Sequence, residues 1–267
     1  MTPSFALSLP VIVGLLGCLP SPPSGTLPPM QIPPDVQPLV FHDPVNAMAI
    51  PYRLFVPDTC DAQHPCGVLL VLHGAGERGK DNTAQLRNHV LTFVRTEAQR
   101  EFPTIVVFPQ CPEGLQWVNA DWTKGTYALE RTPMSEPLSA VLRLLDTLLA
   151  DYPIDPRRQL VTGLSMGGYG TWDLLARFPD RFAGAVALCG GGDPAHAAAM
   201  RSIPLWVFHG GSDPVVPPRG SRSMVKAIRA AGGDPRYVEP AAIGHDIWDT
   251  AYTNPDVARW LLSQRRK

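Results

Sequence analysis

Five short apolar runs punctuate the chain, none alternating between hydrophobic and polar positions: GVLLVLHG (67–74), TIVVFPQ (104–110), QLVTG (159–163), FAGAVALCG (182–190) and IPLWVFHG (203–210). Continuous apolar runs of this length predict strands buried on both faces, as in a parallel sheet. Gly, Pro or Cys closes each one. Between the second and third, EPLSAVLRLLDTLLADY sets Leu138, Val141, Leu142, Leu145, Leu148 and Leu149 on one stripe at helical spacing, which predicts a helix packed on that sheet. A second helical pattern follows the third run, through Trp172, Leu174, Leu175 and Phe178. The closing stretch NPDVARWLLSQRRK, with proline at its start and basic residues at its end, reads as an amphipathic helix oriented with its dipole. Strands alternating with helices predict an α/β fold, a mainly parallel sheet with helices on both faces.

The N-terminal forty residues break this alternation. FALSLPVIVGLLGCL is too short for a comfortable bilayer span and is interrupted by Pro10, so residues 1–18 read as an export signal. LLGC resembles a lipobox, which would lipidate Cys18 and attach the chain to a membrane. Against this, the first segment of a secretory leader normally carries Lys or Arg, and the first such side chain is Arg53; a mis-set start site is the plainer alternative. Residues 19–38, rich in proline and small polar side chains, predict an extended tether that forms neither helix nor paired strand. The catalytic domain would then run over 39–267 in an exported protein, periplasmic, lipid-anchored in the outer envelope or secreted. In an oxidising compartment Cys60 and Cys66 could pair, whereas Cys111 and Cys189, at the ends of apolar runs, read as buried small hydrophobes.

Composition narrows the chemistry. The 267 residues carry 23 basic and 24 acidic side chains, a net charge of −1, so no polyanion-binding surface is indicated and nucleic acid is not an expected partner. No C-x-x-C or H-E-x-x-H spacing supports a zinc site, and the glycine spacing of GLSMGGYG (163–170) fits neither phosphate-binding fingerprint.

That last stretch has the form G-x-S-x-G between a predicted strand and a predicted helix, the context in which a serine is presented at a sharp turn. Gly163 and Gly167 remove β-carbons that would clash there, and the Met166 amide at the helix N-terminus faces an oxygen held near Ser165. A serine hydroxyl needs a base to become a nucleophile at neutral pH. In this architecture the acid and base follow the serine at later strand ends. Asp213 lies just beyond IPLWVFHG, and His245 follows the β-like run near YVEP, with Gly244 before it. Asp246 is the competing acid, but adjacent side chains in an extended loop diverge, which favours Asp213. A second amide for the oxyanion would come from Ala75 or Gly76 in LLVLHGAGERG. His73 and His209, each closing a strand before glycine, are assigned structural roles. Since His245 must be neutral to act as base, activity should fall on acidification through the ordinary histidine range. In CPEGLQWVNADWTKGTY, Trp117, Trp122 and Tyr127 could stack on a sugar or phenolic acyl group or pack as anchors; Trp248 beside His245 carries the same ambiguity.

Residues 48–265 resemble an α/β-hydrolase: HGAGERGKDN, FPQCPEG, GLSMGGYGTWDLLARFPDRFAGAVALCGGGD and WLLSQ are similar to those of secreted carboxylesterases and peptidases related to feruloyl and polyhydroxybutyrate-depolymerase-like esterases. The resemblance implies the α/β-hydrolase fold, Ser165 as nucleophile, His245 as base, Asp213 as acid, an oxyanion hole of Met166 and Ala75, and no cofactor. Its substrates would be small-molecule or polysaccharide-linked esters. The region after PQCPEG has little inserted sequence for a lid. A prolyl-oligopeptidase-like peptidase shares this fold and triad order but usually carries a gating domain, for which there is no room here. An inactive envelope-binding lipoprotein is the reading from another class.

Overall fold

Eight strands form one sheet in the computed structural model, which describes Met1 and residues 30–267. They are β1 (Val36–His42), β2 (Ala49–Phe55), β3 (Cys66–Leu72), β4 (Thr104–Pro109), β5 (Ile154–Leu164), β6 (Gly184–Leu188), β7 (Leu205–Phe208) and β8 (Arg236–Val238). Their order across the sheet is β1-β2-β4-β3-β5-β6-β7-β8. The pairs β1–β2 and β2–β4 are antiparallel, and every other neighbouring pair is parallel. Among the described residues seven α-helices accompany them: α1 (Thr92–Arg95), α2 (Ala98–Glu101), α3 (Glu136–Asp151), α4 (Met166–Arg177), α5 (Arg219–Ala230), α6 (Trp248–Tyr252) and α7 (Pro255–Leu262). All of these lie in the unit Ile32–Lys267; the unit Met1–Gln31 falls almost wholly outside the described residues, as do the expected export signal and Cys18.

The absence of alternation in the central strands follows from two cores, one on each face. Val68, Leu70 and Leu72 of β3 pack with α3, α4 and α5, while Leu69 and Val71 pack with α1, α6 and α7. Successive side chains of a strand point to opposite faces, and since both faces are covered, both must be apolar. The Leu138–Leu148 stripe of α3 is buried in the first core, Leu149 at its edge, each full burial contributing about 1.5–3 kcal/mol. Ser135 caps this helix, its Oγ accepting the Leu138 amide at 3.2 Å. Asn254 caps α7, where Pro255 occupies the first turn.

One boundary differs from expectation. Val36, Gln37 and Pro38, assigned to the tether, already belong to β1, paired with Phe55, Leu54 and Arg53, and Val36 is buried. β1 is an edge strand, where a proline without a donor is tolerated, so proline content alone misplaced the start of the fold. Cys60 and Cys66 are joined by a disulfide at the entry to β3, and Cys111 and Cys189 are free and buried. Among the described residues no helix is long and apolar enough to cross a membrane.

Candidate active site

Ser165 stands alone between the last residue of β5 and the first of α4, at φ 53° and ψ −116°. Positive φ is strained for a side-chain-bearing residue, and such strain persists only where the surroundings hold it. Here the Ser165 amide donates to the Leu188 carbonyl of β6 at 3.0 Å. The flanking glycines are required by close approach: a β-carbon on Gly163 would lie 2.2 Å from the Gly167 carbonyl oxygen, and one on Gly167 would lie 1.9 Å from that of Leu72. The helix therefore seats directly on β3, and the serine side chain is left at the apex, partly exposed.

Two later loops meet above it. Asp213 lies beyond β7, with its Oδ1 accepting the Val215 and Val216 amides at 2.8 and 2.9 Å. His245 lies beyond β8, in a loop laced to the first by Gly211 N–H to the Pro240 carbonyl, Ser212 N–H to that of Ile243, and Ser212 Oγ to that of Ala241. A β-carbon on Gly210 would sit 1.9 Å from the Gly244 carbonyl oxygen, so glycine at 210 lets the two backbones touch.

The result is a continuous chain of contacts: Asp213 Oδ2 to His245 Nδ1 at 2.7 Å, then His245 Nε2 to Ser165 Oγ at 2.9 Å. The carboxylate accepts from Nδ1–H, leaving Nε2 bare to accept the serine proton. Burial pushes the Asp213 carboxyl up, but bonds from His209, His245 and the two amides outweigh it and hold it well below the ordinary carboxylate range. Asp246, the competing acid, is exposed; the carboxylate on His245 is that of Asp213.

The loop after β3 reaches the same place. A β-carbon on Gly74 would touch Leu164 at 2.8 Å and the Ser165 β-carbon at 3.6 Å, so the turn Ala75–Glu77 begins beside the serine. Met166 opens α4, where the first amides have no intrahelical acceptor. His73 fixes this loop from within: its Nδ1–H donates to the Gly74 carbonyl at 2.6 Å, and its Nε2 accepts the Cys111 amide at 2.9 Å. Burial lowers its pKa from 6.5 to about 4.

That depression has a stability consequence. As pH falls below 6.5 the unfolded chain takes up the His73 proton first, so native stability is lost progressively down to about pH 4. About 3 kcal/mol is at stake. Urea midpoints measured between pH 7 and pH 4 should fall less steeply in His73→Gln than in the wild type, and parallel slopes would disprove the assignment.

The tryptophans divide. Trp117, expected as a substrate contact, is fully buried, with its Nε1 donating to the His73 carbonyl at 3.0 Å and its ring edge-on to that imidazole; it anchors the loop and presents no face to a ligand. Tyr127 is likewise an anchor, its hydroxyl donating to Asp173 at 2.7 Å. Trp122 is half-buried beside Tyr169 and Val216, and Trp248 is half-buried with its ring edge-on to His245 at 5.3 Å. Cys189, Asp213 and His245 each bring a potential metal-ligating atom within 4.8 Å of the others. Burial holds the Cys189 thiol far above its ordinary range, and the other two are committed to each other, so this donor set is poorly suited to a cation.

Comparison with known proteins agrees with this architecture. A crystal structure of a thermostable esterase superposes with a TM-score of 0.79 at 37% identity, over 87% of this chain and 64% of that one. A bifunctional acetylxylan esterase/xylanase of Neocallimastix patriciarum is 28% identical over 165 residues, 61% of this chain. A probable feruloyl esterase C of Aspergillus niger is 23% identical over 198 residues, 74% of this chain and 67% of its own. The chain spans only 21% of the length of the Neocallimastix protein. The family described as "Putative esterase" matches residues 48–262, from β2 to the end of α7 and including Ser165, Asp213 and His245. With its eight-stranded sheet, both faces covered by helices, and this match over most of its length, the chain belongs to that esterase family of the α/β-hydrolase fold.

Proposed function

We propose that the protein hydrolyses carboxylic esters through an acyl-enzyme on Ser165. The observation that carries this reading is the unbroken chain Asp213–His245–Ser165, with contacts of 2.7 and 2.9 Å. Ser165 Oγ attacks the ester carbonyl carbon as His245 Nε2 takes its proton. The carbon–oxygen bond to the alcohol then breaks, and His245 returns that proton to the leaving oxygen. Water, deprotonated by His245, attacks the acyl carbon, releasing the acid and restoring the serine hydroxyl. The Met166 and Ala75 amides would hold the oxyanion in both steps, and Asp213 keeps the imidazole in the required tautomer.

The rim and the relatives support a substrate class. Trp248 against His245 offers aromatic surface to a phenolic acyl group or a sugar ring, and Trp122, half-buried over Tyr169, is a second candidate contact. Relatives named as acetylxylan and feruloyl esterases support acylated polysaccharide or phenolic esters as the natural targets. Export behind a tether would deliver the enzyme to such extracellular or envelope substrates.

A fluorophosphonate probe followed by peptide mapping tests the nucleophile: labelling is expected at Ser165 alone, and a folded protein that takes no label refutes the reading. The same preparation assayed on p-nitrophenyl esters, feruloyl esters, acetylated xylan and chromogenic peptides is expected to turn over esters in preference to peptides.

A further inference from the structure

His209 closes β7 with its ring fully buried, and the mechanism above makes no use of it. Its Nε2 lies 3.0 Å from the Val216 carbonyl and 3.3 Å from Asp213 Oδ2. Both are acceptors, so this nitrogen carries a proton. Its Nδ1 lies 2.7 Å from Ser221 Oγ on α5, and Ser221 Oγ lies 3.1 Å from the Gly190 carbonyl beyond β6. Asp213 therefore takes two backbone amides on Oδ1 and the His245 Nδ1–H on Oδ2, while the His209 Nε2–H, given first to the Val216 carbonyl, lies 3.3 Å from that same oxygen.

We propose that His209, oriented by Ser221, is a positioning residue for ester hydrolysis: it locks the Asp213 carboxylate in the rotamer that meets His245 and draws off part of its charge. The proposal rests on the triad reading of the preceding section. The physical argument is one of shared acceptance. A carboxylate oxygen with a second N–H beside it presents less negative potential to the first donor, and a carboxylate held by three hydrogen bonds with that N–H against its free side cannot swing away when His245 becomes charged. Removing the His209 donor leaves more of the Asp213 charge for His245 and stabilises its protonated form, so the acid limb of kcat/KM moves to higher pH. The other titratable groups near this chain are the Cys189 thiol at the end of β6, the Tyr169 phenol on α4, the Asp246 carboxylate, and Glu239, bound by Arg222 and Tyr237.

Three variants test it: His209→Leu removes both ring nitrogens, His209→Gln keeps an amide N–H, and Ser221→Ala strips the partner of Nδ1. In His209→Leu kcat is expected to fall roughly ten- to a hundredfold, the loss of one hydrogen bond to a charged group, with KM little changed. The acid limb is expected to rise by about half a pH unit or more. His209→Gln should recover most of both effects, and Ser221→Ala should show a smaller change in the same direction. A merely structural histidine would lower the amount of folded enzyme and leave the acid limb in place. His209→Leu that folds with a wild-type acid limb overturns the proposal. Should that variant fail to fold, Ser221→Ala with wild-type kcat and acid limb overturns it instead. Ser165→Ala assayed alongside separates the two readings: an active Ser165→Ala removes the triad itself, whereas an inactive one with unchanged Ser221→Ala removes only the role of His209.

Discussion

Ser165→Ala is expected to lower kcat for a short acyl ester by about a millionfold, the loss typical of deleting the nucleophile of an acyl-transfer triad. The change deletes one atom. The backbone amides of Met166 and of the Gly74–Ala75 loop stay in place, so substrate binding and a small residual acceleration should survive. Alanine tolerates φ 53° no better than serine does, and Ser165 Oγ makes its one described contact with His245, so the fold should be preserved. Thermal unfolding within a few degrees of wild type, together with the collapse of kcat, is the expected pair of results. Activity within tenfold of wild type, in protein purified apart from any wild-type enzyme, would move the nucleophile elsewhere.

Much of this candidate site is legible in the chain itself, because its members sit at strand ends and strands of a parallel sheet advertise themselves. The β5 run, GLSMG and the following helical stripe locate Ser165 together, whereas G-x-S-x-G alone does not. Asp213 and His245 are found the same way, each beyond an apolar run. What escaped had no such signal. β1 is an edge strand with Val36 as its one buried residue, so its pattern is not that of a core strand, and its proline reads as linker. Trp117 could be assigned to ligand or to core with equal reason, since an indole serves either; only the His73 carbonyl under its N–H decides. His209 and Asp213 lie four apart in HGGSD, a spacing with no meaning in an irregular loop. They meet because the Asp213 amide turns back onto the Gly210 carbonyl at 3.2 Å, a turn that two glycines permit but do not by themselves predict.

Asp213→Asn is expected to cost kcat about ten-thousandfold while leaving the overall geometry intact. The asparagine Oδ1 can still accept the Val215 and Val216 amides, which turns its NH2 toward His245 Nδ1. Two donors cannot face each other, so His245 must surrender the Nδ1 proton and carry it on Nε2, toward Ser165 Oγ. In that tautomer the imidazole cannot take the serine proton, and it has no carboxylate to stabilise its charged form. The sign of the pH dependence separates this from a titration effect. Asp213 is held well below the ordinary carboxylate range, so in the wild type it stays ionised at neutral and mildly acid pH, and its charge contributes stability that is lost only at strongly acid pH. A loss of activity on mild acidification of the wild type is therefore not the protonation of Asp213, and Asp213→Asn should be impaired on the neutral plateau as well as below it. Asp246→Asn supplies the contrast, because that carboxylate is exposed and is not the one on His245: its kcat should stay within about twofold of wild type, as for a surface substitution. Were the ten-thousandfold loss to fall on Asp246→Asn and spare Asp213→Asn, the orienting acid would be Asp246, and the 2.7 Å contact between Asp213 and His245 would have to be structural.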